Sequence, residues 1–98
     1  MSDPNPVLRI KKLRYRAWHR GFREADLILG PFADRYLPLL STDQIDAFEA
    51  LIDQPDPDLY GWIVGQAEAP PAHRGEMLEM IREFRFSVRA ARGEDLGA

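Results

Sequence analysis

Between positions 19 and 26 the chain reads His-Arg-Gly-Phe-Arg-Glu-Ala-Asp. Arg20, Gly21, Glu24 and Asp26 form the pattern R-G-x-x-E-x-D, with His19 and Arg23 beside them. A guanidinium is a planar fork of donors that matches a carboxylate or a pair of carbonyls. The two carboxylates answer bases or polar hydrogens. A glycine lets a second backbone approach where any side chain would block it. Such a group suits a surface that docks against another protein. The same residues also have plainer uses within the chain. Gly21 can end a helix. Glu24 can pair with Arg20 or favour the positive end of the next helix, worth a few tenths to ~1 kcal/mol. On the residues alone the two readings balance.

Other chemistry is less well supported. His19 and His73 lie far apart and neither has a partner at zinc-site spacing. Ser41 is accounted for as a helix cap, and Ser87 has no base near it in sequence. Asp53, Asp56 and Asp58 lack the spacing and the glutamate of a calcium loop, so caps and turn acids explain them better. The glycines are scattered and form no phosphate loop. There are no cysteines, which excludes disulfides, thiolate metal sites and cysteine nucleophiles. These residues offer no visible nucleophile–base pair and no metal-site spacing, so the expectation is no catalytic residue, no metal and no resident cofactor.

The elements that must position the motif read as helices. With 98 residues the chain fits one domain with a thin core. Asn5 and Pro6 can open a first helix, on which Val7, Ile10, Leu13 and Ala17 follow at helical spacing. Gly21 ends it. Phe22, Ala25, Ile28, Leu29, Phe32 and Tyr36 then fall within a ~120° arc of a second helix, which Gly30-Pro31 should kink and not stop. Ser41 and Gln44 make a capping box for a third helix bearing Ile45, Phe48, Leu51 and Ile52. Asp56 caps and Pro57 starts a fourth, with Leu59, Tyr60, Trp62 and Ile63, closed by Gly65. A last helix carries Met77, Ile81, Phe84 and Val88 on one face. Trp18 and Trp62 read as core. The fold class is therefore all-α, a compact five-helix bundle with short loops spanning residues 1–91, followed by a mobile tail at 92–98.

The net charge of −3 conceals an asymmetry. Seven basic residues and no acid lie between Arg9 and Arg23, whereas from Glu24 to Glu68 ten acids face one base, Arg35. Each run can be a solvated face, or the two can form a partner surface of mixed sign. Lys12, Arg16, His19 and Arg20 share one face of the first helix, the footprint of a nucleic-acid binder, but the pI near 5.3 speaks against it. No apolar run reaches the ~20 residues of a membrane span. The polar start from Met1 to Pro6 does not look like a secretory signal, so the expected location is the cytoplasm, in a bacterium.

R-G-x-x-E-x-D, then an apolar run ending in Pro31-Phe32, then D-x-P-D-P-D-L-x-x-W from Asp53 to Trp62, resembles the succinate dehydrogenase assembly factor 2 family. Bacterial members of that family are known as SdhE. The resemblance covers Ile10 to Val88, with two small departures: His19 stands where another base is common, and Gly30 precedes the proline. It implies a small helical, monomeric chaperone. Such a chaperone assists covalent FAD attachment to the flavoprotein subunit of succinate dehydrogenase, and in bacteria of fumarate reductase. It also implies that Arg20, Gly21 and Glu24, with Asp26, His19 and Arg23 around them, face that subunit. On that footing Arg20 would fork onto a partner carboxylate or carbonyls. An antitoxin-like or nucleic-acid-binding protein acting through the basic first helix is the alternative.

Overall fold

The computed structural model of this protein describes residues 6–91, and side chains as far as residue 88. Asn5, the expected first cap, and the expected tail at 92–98 lie outside these residues. Among the described residues there are five α-helices and no strand: α1 Pro6–Trp18, α2 Arg23–Tyr36, α3 Thr42–Ile52, α4 Asp56–Val64 and α5 Glu76–Ala91. Two short 3-10 turns, Leu37–Leu39 and Pro71–His73, were not anticipated; each contains a proline in its first turn.

Local chemistry sets most of the boundaries. Pro6 occupies the first position of α1, where its missing N–H costs nothing. Pro31 sits inside α2 and the helix runs on through it, because the buried stripe of Ala25, Leu29, Phe32 and Ala33 continues on both sides. At the start of α3 both halves of the capping box are made. The Gln44 amide N–H donates to Ser41 Oγ at 3.2 Å, and the Ser41 N–H donates to Gln44 Oε1 at 2.9 Å. Gly65 closes α4.

α2 lies at the centre and touches α1, α4 and α5. Phe32 on α2 is fully buried and anchors an aromatic cluster. Phe48 of α3 stacks with it at 5.8 Å, and Phe84 of α5 meets it edge-on at 5.7 Å. Leu13, Leu37, Leu51, Leu59, Leu78 and Ile81 complete the interior, so every helix contributes to one core. Trp62 is buried as expected.

Trp18 departs from expectation. It is 36% exposed and lies flat against α2, and a Cβ placed on Gly30 would stand 2.3 Å from its ring. Its Nε1–H donates to Asp34 Oδ2 at 3.1 Å. Gly30 is therefore the groove that seats the end of α1 on α2.

Candidate functional site

The R-G-x-x-E-x-D residues occupy the link between α1 and α2 and the first turn of α2. α1 stops at Trp18, three residues before Gly21, so Gly21 turns the link and does not cap the helix directly. Its φ is +87°, in the left-handed region that glycine enters without strain. Nothing lies within 4 Å of where its Cβ would be. Its backbone thus faces open space.

Arg20 is fixed at both ends. Its backbone N–H donates to Asp26 Oδ1 at 3.1 Å. Its guanidinium turns inwards: Nε donates to Asp56 Oδ1, Nη1 to the carbonyl of Ile52, and Nη2 to the carbonyl of Gln54 at 2.7 Å. The side chain is only 9% exposed. This corrects the expected fork onto a partner, because the fork is already filled by the chain's own α3–α4 turn. It also corrects the reading of Asp56 as the cap of α4. Pro55 holds the cap position, and the Asp56 carboxylate is spent on Arg20. The arrangement is favourable for two reasons. Ile52 ends α3, where carbonyls lack helical partners and the dipole favours a cation. Asp56 opens α4, where the dipole favours an anion. Phe22, the next side chain along, packs on Tyr60 of α4 at 5.2 Å between ring centres and ties the bend to the same helix.

The basic run and the acidic middle meet each other along much of their length. Arg9 is buried and donates to Asp46 at 2.6 Å and Glu49 at 3.0 Å on α3. Hydrogen bonding to Asp46 raises its pKa above the ordinary arginine value, against burial, which lowers it. Arg16 pairs with Asp53, and Arg14 with Asp34 at 2.9 Å. Arg9, Arg14, Arg16 and Arg20 of the basic run are each engaged by acids of the same chain. The charge asymmetry is thus in good part paired within the chain: Arg9 and Arg16 reach α3 and its end, Arg14 reaches α2 and Arg20 reaches the start of α4, which reduces the basic face offered to a phosphate backbone.

What faces outwards at the corner is Gly21, Arg23 and Glu24, with His19 beside them. The Glu24 carboxylate makes no ion pair or hydrogen bond among the described residues. His19 stacks on the exposed Tyr15, ring centres 4.2 Å apart. A shallow hollow lined by Tyr15, Arg16, His19, Arg20 and Asp56 lies next to it. Asp26 is half-buried and faces the Arg20 amide. His73 stacks on Trp62 at 5.5 Å, which accounts for it structurally. Among the described residues no three His, Asp or Glu side chains gather as a metal site would require. No helix among them is long and apolar enough to cross a membrane. The parts sequence reasoning missed are Asp56 and the carbonyls of Ile52 and Gln54. The only signal for them was an acid at the start of the P-D-P-D-L stretch that could serve as more than a cap.

Residues 11–85 match the family Sdh5, described as flavinator of succinate dehydrogenase. Among curated proteins the chain is similar to the mitochondrial succinate dehydrogenase assembly factor 2 of Dictyostelium discoideum, 39% identical over 72 residues, covering 74% of this chain and 51% of that protein. It is similar to the protein of the same name from Danio rerio, 34% identical over 76 residues, covering 76% of this chain and 48% of that one. It is also similar to the FAD assembly factor SdhE of Acetobacter pasteurianus, 28% identical over 83 residues, covering 85% and 76%. The chain spans about half the length of these mitochondrial relatives.

Proposed function

The chain belongs to the Sdh5 family of succinate dehydrogenase flavinators, and from that premise we propose that it is a chaperone. It binds the flavoprotein subunit of succinate dehydrogenase and promotes covalent attachment of FAD to that subunit's histidine. The observation that supports this reading lies inside the matched stretch. A pinned bend there presents the bare backbone of Gly21 and the unengaged carboxylate of Glu24 to the outside.

The chemistry asks little of the helper's own side chains. The flavin's 8α-methyl group loses a proton to give the quinone-methide tautomer, and a histidine nitrogen of the flavoprotein adds to the 8α-carbon and gives up its own proton. The flavin ring takes the electron pair and two protons to become the reduced flavin. The flavoprotein supplies both the nucleophile and the bound cofactor. A displacement of about 1 Å between reacting groups can cost ~100-fold in rate. A small rigid bundle that holds the flavoprotein in the closing geometry therefore contributes without being an enzyme. Gly21 admits a close backbone approach, and Glu24 and Arg23 supply one charge of each sign for orientation. Action on the fumarate reductase flavoprotein, a monomeric state and a cytoplasmic location belong to the same reading.

The test is to incubate the purified chain with the FAD-loaded but unmodified flavoprotein subunit and follow covalent flavin by in-gel fluorescence. Covalent FAD should accumulate faster with the chain than without it, and the pair should co-elute with absorbance in the flavin band. A chain that neither accelerates attachment nor co-elutes refutes the reading. Salt-sensitive retention on DNA in its place would support the nucleic-acid alternative.

A further inference from the structure

We propose that Arg20 and Asp56 are positioning residues of the docking corner. They act through the chain by fixing the backbone at Gly21 and do not grip the partner. The proposal rests on the docking reading above.

A glycine facing open space has no intrinsic reason to hold one conformation. Glycine populates positive and negative φ almost equally, and nothing packs within 4 Å of where a Cβ would stand at Gly21. Something must select φ +87° if a partner is to meet a preformed surface. The residue before it does so. Arg20 is held by its N–H to Asp26 on α2 and by its guanidinium to three acceptors at the α3–α4 turn. Those acceptors lie 32 to 36 residues away in sequence, so one side chain locks the α1–α2 link to the α3–α4 turn. Phe22, on the other side of Gly21, is pinned against Tyr60 on α4. The bend is thus clamped from both flanks and left bare at its apex. Lysine cannot replace Arg20 here. Its single ammonium cannot donate along the separate in-plane directions that Asp56, Ile52 and Gln54 require. Within the motif, then, Arg20 and Asp26 build the corner, and Gly21 and Glu24 present it.

A released link must be ordered again each time the partner binds. Fixing one backbone residue weakens affinity by about tenfold. The rate of covalent FAD attachment is therefore measured against concentration of the chain for Arg20→Lys, Asp56→Ala, Asp56→Asn and the double variant Arg20→Lys/Asp56→Ala. Arg20→Lys and Asp56→Ala should each raise the half-saturating concentration about tenfold with the maximal rate unchanged. The double variant should be no worse than the worse single one, because both remove the same clamp. Asp56→Asn keeps an acceptor oxygen for Nε–H and should stay close to the parent. Additive losses in the double variant, or a lowered maximal rate at unchanged half-saturation, would mean Arg20 touches the partner and would overturn the proposal. If Arg20→Lys does not fold, the contrast between Asp56→Ala and Asp56→Asn carries the same test. Hydrogen exchange of the Arg20 amide, read on the chain alone, separates the clamp from the docking reading. Asp56→Ala should speed it about tenfold, and unchanged exchange refutes the clamp whatever the flavoprotein does. An inactive parent chain with a clamp that responds in this way refutes only the docking reading, and with it any role of the clamp in docking.

Discussion

Replacing Gly21 separates what the fold asks of this position from what a partner asks of it. At φ +87° any L-residue with a Cβ meets the following carbonyl, which costs roughly 1–2 kcal/mol. No further cost arises within the chain, because nothing lies within 4 Å of the added Cβ. For a chain of this length a loss of that size lowers Tm by about 5–10 °C. Gly21→Ala and Gly21→Arg should therefore lose nearly the same stability, since both incur the backbone strain and neither meets its own neighbours. They should differ sharply in docking. Alanine intrudes by one methyl group. Arginine fills the space a partner backbone would occupy and should weaken binding by roughly 100-fold or more, about 2.7 kcal/mol. Thermal unfolding by circular dichroism gives the first quantity, and titration calorimetry against the flavoprotein subunit gives the second. Two results would refute the reasoning. If Gly21→Arg binds as tightly as Gly21→Ala, no partner comes close at this corner. If Gly21→Arg is several kcal/mol less stable than Gly21→Ala, the open space beside Gly21 is not real.

Further substitutions test other parts of the account. Glu24→Ala should leave stability within the roughly ±0.5 kcal/mol usual for an exposed site and still lower the yield of covalent FAD on the partner; unchanged yield would remove Glu24 from the corner. Gly30→Ala gains ~1 kcal/mol of helix propensity but drives a methyl into the indole of Trp18 at a cost of about 1–3 kcal/mol, giving a net loss of up to about 2 kcal/mol. Tryptophan emission should shift to the red as Trp18 lifts from α2, and a raised Tm would contradict the packing. Arg9→Ala should cost about 1–2 kcal/mol, since Asp46 and Glu49 can regain water but Arg9 also fills space under α1. The deficit should shrink in a urea series run at 1 M salt, where the surviving part is packing alone.

The helices were legible because their signals are local. The capping box at Ser41 and Gln44 lies within one turn, and the stripe from Ala25 to Phe32 repeats at the helical period. Glycine at position 21 announced a turn for the same reason: a single residue's φ is chemistry of that residue. The charges were another matter. Composition showed that a basic run precedes an acidic one, but not that Arg9, Arg16 and Arg20 meet Asp46, Asp53 and Asp56, each partner more than 30 residues away. A long charged side chain has no period that marks its destination. Whether it faces water, a partner or its own chain depends on how the helices are stacked. Sequence by itself therefore settled that there is a bend, that it carries a glycine and that a guanidinium stands beside it. Only the packing of α3 and α4 against that bend decided that the guanidinium points inwards, because the carbonyls and the carboxylate that draw it there come together only when the bundle closes.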